Sequence, residues 1–263
     1  MKKIILLLTG LILLSSSAFA KIITEAVEYK QGDTVLEGFI SYDTKKVSKM
    51  KKAPGVVVVH DWMGVGPYVK MRAEQLAEMG YVAFVADIYG KGQLPKDGKE
   101  AAALSGKFKS GDRQLLRDRA NAAYETLKKN PLVKEDKISA TGYCFGGTTV
   151  LEMARAGLPL VGVVSFHGGL AAGTKNDTKN IKTKLLVLHG AIDPYVATAE
   201  VDQFKKDLDI SKTDYQFVAY SGAVHSFTHK DAGTDITKGA AYNENADKRS
   251  FVAAKNFLAE INQ

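Results

Sequence analysis

The spacing of apolar and polar positions gives residues 21–263 two alternating textures. Short runs of β-branched and aromatic residues read as strands. Longer stretches with an apolar residue every three or four positions read as helices. "VLEGFISY" (35–42) reads as an outer strand in an antiparallel pair with "AVEYKQ" (26–31). "GVVVVH" (55–60) and "YVAFVAD" (81–87) are near-continuous apolar runs, as strands buried on both faces are. "KISATGY" (137–143), "LVGVVSFHG" (160–168), "KLLVLHG" (184–190) and "YQFVAY" (215–220) complete the strands. Helices are predicted over 69–80, capped by Gly80, and over 113–129, stopped by Asn130-Pro131. Three more are predicted over 145–157, 198–209 and 246–261.

This order predicts an α/β protein: a mostly parallel twisted sheet of about eight strands with helices on both faces. No repeat or low-complexity linker divides residues 21–263, and 243 residues suffice for one large domain. In such sheets ligands bind beyond the C-terminal strand ends. The stretches 88–112 and 228–242, rich in glycine and lysine, are expected to border the pocket.

The first twenty residues have a different pattern. Lys2 and Lys3 precede an apolar run from Ile4 to Leu14, and "SSSAFA" ends in the small-x-small sequence Ala18-Phe19-Ala20. This predicts a signal peptide cut after Ala20, hence a periplasmic or secreted protein with no stable membrane anchor after cleavage. The apolar run is short for a bilayer span. No cysteine follows it to carry a lipid.

Formal net charge is +7; without Lys2 and Lys3 there remain 34 basic and 29 acidic side chains. The lysines are scattered, with modest clusters at "KKVSKMKK" and "KGQLPKDGK", and read as a solvated surface. No stripe of aromatic residues and arginines points to nucleic acid.

Cys144 is the single cysteine, so an exported chain would carry a free thiol and no internal disulfide. It lies in "TGYCFGG" (141–147), between a predicted strand and a predicted helix. So sharp a turn needs small residues two positions either side of its apex, and Gly142 and Gly146 supply them. The apex side chain then stands at a helix N-terminus, where the dipole and free N–H groups favour a thiolate. The N–H of Phe145, the next residue, is placed to donate to an oxyanion, and the N–H of Trp62 in "VVVVHDWMGVG" is the candidate second donor. Asp193 follows one strand end in "LHGAIDPYV", and His225 follows the next in "YSGAVHSF". Nucleophile, acid and histidine thus occur in the chain order of α/β-hydrolases. Asp193 would fix the tautomer of His225, which would take the thiol proton.

Together "HDWMGVGPYVKMRAEQLAEMGYVAFVADIYGKG", "TGYCFGG", "HGAIDPYV" and "GAVHSF" resemble the dienelactone hydrolase family of α/β-hydrolases, over nearly all of residues 21–263. The resemblance implies an eight-stranded sheet, a Cys-His-Asp triad and hydrolysis of a small ester or lactone through a thioester. It also implies no metal or organic cofactor and a monomer. The family's type member carries, directly before the oxyanion-hole residue, a glutamate that receives the thiol's interaction at rest and takes part in activation; here the resemblance gives that role to Asp61, one methylene shorter. The two arginines that hold the type member's carboxylated substrate fall at Gly90 and His229. Lys91 or Lys230 does not replace a bidentate guanidinium. A different ester, lactone or thioester is therefore expected.

Asp61, His60, Tyr89 and His229 are the candidate pocket residues, although His60, at the end of a buried strand and next to Asp61, reads first as a local hydrogen-bonding residue. His225 and His229, four apart, lack the helical pattern and intervening glutamate of a metal motif. His167 and His189 read as structural. Two alternatives stay open: an acyltransferase or thioesterase on the same triad, and a binding module whose triad is residual.

Overall fold

The computed structural model describes residues 21–174 and 177–263, so the signal segment expected at 1–20 lies outside the described residues. Eight strands form one sheet: β1 (Ile22–Gln31), β2 (Thr34–Asp43), β3 (Ala53–Val59), β4 (Val82–Ala86), β5 (Val133–Tyr143), β6 (Gly162–Phe166), β7 (Lys184–Gly190) and β8 (Tyr215–Tyr220). Their spatial order is β1-β2-β4-β3-β5-β6-β7-β8. β1 pairs antiparallel with β2, and β2 antiparallel with β4; every later pairing is parallel. This is the α/β-hydrolase architecture that the sequence predicts.

β3 shows why its apolar run is continuous. Val57 and Val59 enter the core on one face of the sheet, and Val56 and Val58 enter the core on the other. All four are fully buried, each stabilising the fold by about 1.5–3 kcal/mol. On the face of Val56, α1 (Pro67–Glu78) and α6 (Glu244–Ile261) pack with Val69, Ala73, Ala254 and Phe257. On the opposite face lie α2 (Gly98–Lys109), α3 (Gln114–Lys128), α4 (Phe145–Arg155) and α5 (Thr198–Ser211). They contribute Phe108, Leu116, Val150 and Phe204 to that core.

Helix α2 lies within 88–112, where the apolar spacing predicts no helix. The Asp97 side chain accepts the N–H of Glu100 at 2.9 Å, and the Glu100 carboxylate accepts the N–H of Lys96 at 2.9 Å. Such reciprocal capping starts a helix without help from an apolar stripe. Only Ala101, Ser105 and Phe108 of α2 are buried, so its periodicity is faint in the sequence.

Helix α4 is buried along its whole length and carries charge in its interior. Glu152, with no exposed surface, accepts from Arg113 at 2.9 Å, Arg117 at 2.9 Å and Arg155 at 2.8 Å. Arg113 and Arg155 also donate to the carbonyls of Ala171 and Leu170, tying the loop after β6 to α4. Helix α4 is thereby fixed at the base of the candidate site.

Candidate active site

The β5–α4 turn holds Cys144 at φ 57°, ψ −113°. A non-glycine residue at positive φ is strained, by about 1–3 kcal/mol, so close packing must hold it there. A Cβ on Gly142 would lie 2.1 Å from the Gly146 carbonyl oxygen, and one on Gly146 would lie 2.2 Å from that of Val59. Backbone against backbone leaves the turn no room to relax. The Cys144 N–H donates both to the Phe166 carbonyl at 3.0 Å and to His167 Nδ1 at 3.1 Å.

The thiol faces a histidine and a carboxylate in series. His225 Nε2 lies 3.0 Å from Cys144 Sγ, and His225 Nδ1 lies 2.8 Å from Asp193 Oδ2. Asp193 follows β7, and its other oxygen accepts the Tyr195 N–H at 2.9 Å. The loop carrying His225 is pinned on both sides: its N–H donates to Gly239 O at 3.2 Å, and its carbonyl accepts from Ala241 N–H at 3.0 Å. Burial lowers the pKa of His225, but the neighbouring Cys144 charge and hydrogen bonds to Asp193 and Cys144 outweigh it, raising the value to about 10. The raised value favours the protonated ring between Cys144 and Asp193.

The loop after β3 closes the other side. Among the described residues the N–H groups of Trp62 and Phe145 make no hydrogen bond, which leaves both free to donate. The Trp62 carbonyl accepts from Tyr89 Oη at 3.0 Å. His60 hydrogen-bonds locally and does not take the alternative place on the pocket wall: it is fully buried and borders neither cavity beside the thiol. Its Nε2 accepts the Ile88 N–H at 3.2 Å, so Nδ1 carries the proton and donates to the Asp61 carbonyl at 2.6 Å. Burial lowers the pKa of His60 and keeps it neutral. The ring packs against Tyr89 and Phe145, so His60 braces the loop from behind. Tyr89 is likewise buried, backing Trp62 and lining neither cavity beside the thiol.

Asp61 makes no hydrogen bond to Cys144. Its carboxylate accepts the Met63 N–H at 2.8 Å and faces His229 Nε2 at 3.4 Å. It acts first as a turn cap, with His229 beside it on the pocket wall. The first family-arginine position, Gly90, is turned to Asp87, whose carboxylate accepts its N–H at 2.9 Å. Lys91 pairs with Glu28 and Glu37 instead.

Two cavities adjoin the site. The larger, about 690 Å³, is lined by Asp61, Trp62, Met63, Tyr195, Ser226 and His229, among others. The smaller, about 210 Å³, is bordered by Phe145, Val196 and His225. Tyr195 and Lys109 border both, and the Tyr195 ring stands edge-on to His225 at 5.3 Å. Neither was singled out from sequence, although Tyr195 lies only two positions past Asp193. Among the described residues no cluster of three or more histidine, cysteine or acidic side chains could hold a metal, and no helix is long and apolar enough to cross a membrane.

The model of the dienelactone hydrolase family matches residues 40–262. A crystal structure of a dienelactone hydrolase-like promiscuous phosphotriesterase from metagenomic libraries is 36% identical. It superposes with a TM-score of 0.85 over 92% of this chain and 99% of its own. A Bradyrhizobium protein named as a probable 2-oxo-3-(5-oxofuran-2-ylidene)propanoate lactonase is 29% identical over 204 residues, 73% of this chain and 81% of its own length. A human carboxymethylenebutenolidase homolog is 26% identical over 204 residues, covering 74% of this chain and 78% of its own.

Proposed function

This chain belongs to the dienelactone hydrolase family, whose members cleave esters and lactones, and on that premise we propose that Cys144 is its nucleophile. One observation carries the reading: the continuous line from Cys144 Sγ through His225 to Asp193, at 3.0 and 2.8 Å. The thiolate attacks the substrate carbonyl carbon while His225 holds the proton. Charge building on the carbonyl oxygen is met by the N–H groups of Trp62 and Phe145, which need not reorganise. As the tetrahedral adduct collapses, the C–O bond breaks and His225 gives its proton to the departing oxygen. Water then attacks the thioester carbon, with His225 taking a proton from it. The C–S bond then breaks, the acid leaves, and the thiolate–imidazolium pair is restored. Asp193 fixes the tautomer and offsets the imidazolium charge.

The substrate is a small neutral ester or lactone. No arginine lines the larger cavity; Trp62, Met63, Ala102, Ala232 and Ala240 are apolar, and Asp61 and Asp231 are acidic. A carboxylated lactone would meet two carboxylates there against the single ammonium of Lys109, with no guanidinium fork to hold it; Arg113, which borders the smaller cavity, is already engaged by Glu152 and the Ala171 carbonyl. We assign residues 1–20 as a cleaved export signal, to be tested by N-terminal sequencing of the mature protein, with Lys21 the expected first residue.

Turnover of neutral aryl esters, enol-lactones, a carboxylated lactone, thioesters and a neutral phosphotriester tests the reading. The phosphotriester is included because of the metagenomic relative's activity. Wild type should cleave a neutral carbonyl ester or lactone fastest, and Cys144→Ala should reduce it to background. Wild type no faster than Cys144→Ala on every compound would sink the proposal.

A further inference from the structure

A second histidine, outside the line from thiol to carboxylate, sits where the loops of the site meet. His167 ends β6, is buried to 2% exposure and takes φ 40°. Its Nδ1 accepts the Cys144 N–H at 3.1 Å, so its proton is on Nε2. That Nε2–H donates to Thr228 Oγ1 at 2.7 Å, three residues past His225. Thr228 Oγ1 lies 2.6 Å from the Tyr68 hydroxyl on α1. Arg72 donates to both the Tyr68 hydroxyl and the Thr228 carbonyl, and pairs with Asp247 on α6. The Tyr68 ring stacks on His229 at 4.2 Å, and His229 faces Asp61 in the oxyanion loop. The His167 ring also stands edge-on to His225 at 5.3 Å and to Phe227 at 5.0 Å.

We propose that His167 is a positioning residue that sets the distance between Cys144 and His225 by linking the nucleophile turn to the histidine loop. It touches neither the thiol nor the catalytic imidazole by hydrogen bond; it grips the backbone of one and the following segment of the other. Both bonds require a neutral ring of one tautomer, because an imidazolium has no acceptor for the Cys144 N–H. The surroundings enforce this: burial, then the positive charges of His225, Arg72 and His229, hold His167 well below the ordinary histidine pKa. A misplacement of an ångström between reacting groups can lower a rate by about a hundredfold, so a brace here acts on turnover more than on binding.

The inference rests on Cys144 being the nucleophile, so its test has a readout that needs no substrate. Thr228→Val removes the hydroxyl at nearly constant volume. His167→Asn keeps an acceptor near Nδ1 and loses the reach to Thr228; His167→Gln keeps the reach and loses that acceptor. Each is measured for kcat, for KM and for the pH profile of Cys144 alkylation by iodoacetamide, with circular dichroism as the folding control. The expected result is kcat lower by about ten- to a hundredfold at unchanged KM, together with an alkylation profile displaced from that of wild type. His167→Gln and Thr228→Val should differ, because they cut opposite ends of the link. Folded Thr228→Val and His167→Asn with kcat and alkylation profile within about twofold of wild type would overturn the brace. If wild type itself neither turns over nor alkylates faster than a free thiol, the nucleophile assignment fails first, and that outcome is distinct.

Discussion

The nucleophile turn and the pocket rim lie side by side yet are built by opposite means. At the turn, residues 142–147 are held by backbone against backbone: an added Cβ at Gly142 or Gly146 would lie 2.1 or 2.2 Å from a carbonyl oxygen. At the rim, Trp62 is 39% exposed and Tyr195 62% exposed, with solvent on one side of each ring. The difference separates two tasks. The chemistry requires one geometry, so its scaffold is over-determined and intolerant of volume. Selectivity requires surfaces that can be exchanged, and these rest on loops whose replacement costs the core little.

The sharpest way to break the comparison is at the turn itself. Cys144→Ala and His225→Ala should each reduce turnover of the best neutral ester to background, and Asp193→Asn should lower kcat by about 10²–10⁴-fold, as steady-state kinetics would show. Gly146→Ala should cost about 1–3 kcal/mol or more, because the Val59 carbonyl has nowhere to retreat; denaturant titration measures it. If it melts like wild type, the turn is less constrained than its packing implies. Removing the Glu152 carboxylate beneath the turn, as Glu152→Ala, takes from three largely buried guanidinium groups the carboxylate they share and should cost about 3–5 kcal/mol.

The titration of His225 gives a finer test. Its pKa is raised in the fold to about 10 from an ordinary 6.5. The protonated ring is thus favoured in the folded protein over the unfolded chain. That contribution is fully present below pH 6.5, shrinks as pH climbs, and is gone above about 10. The melting-temperature advantage of wild type over His225→Ala should therefore narrow across this window, and an advantage that widens would reverse the assignment. The smallest effect belongs to the rim: Trp62→Ala should leave stability within about 0.5 kcal/mol and raise KM several-fold, since the oxyanion donor proposed at that position is the backbone N–H.

The same contrast explains what the sequence made legible. The eight strands, the turn and the order of Cys144, Asp193 and His225 were readable because each follows from a local necessity: a continuous apolar run, a pair of glycines, a polar residue just past a strand end. Helix α2 was not, because its start depends on the Asp97–Glu100 cap and its buried face has only three residues. The local hydrogen bonding of His60 was readable from its place at the end of a buried strand, but not its two partners, the Ile88 N–H and the Asp61 carbonyl. Tyr195 and Lys109 border both cavities only because α2 and the turn after β7 converge, a relation no local pattern encodes.

The sheet order also sets a timetable. Cys144 and His225 are 81 residues apart, and the loop carrying His225 is pinned by Gly239 and Ala241, near the end of the chain. As the chain emerges from its N-terminus, the thiol is made long before the imidazole that takes its proton is in place. Helix α6, which supplies Asp247 to Arg72, follows that loop. On the proposed reading, a partly refolded molecule whose residues 225–241 have not docked carries a bystander sulfur, and the docking of that loop is the step that supplies its base. A pulse of alkylating reagent during refolding would time that step.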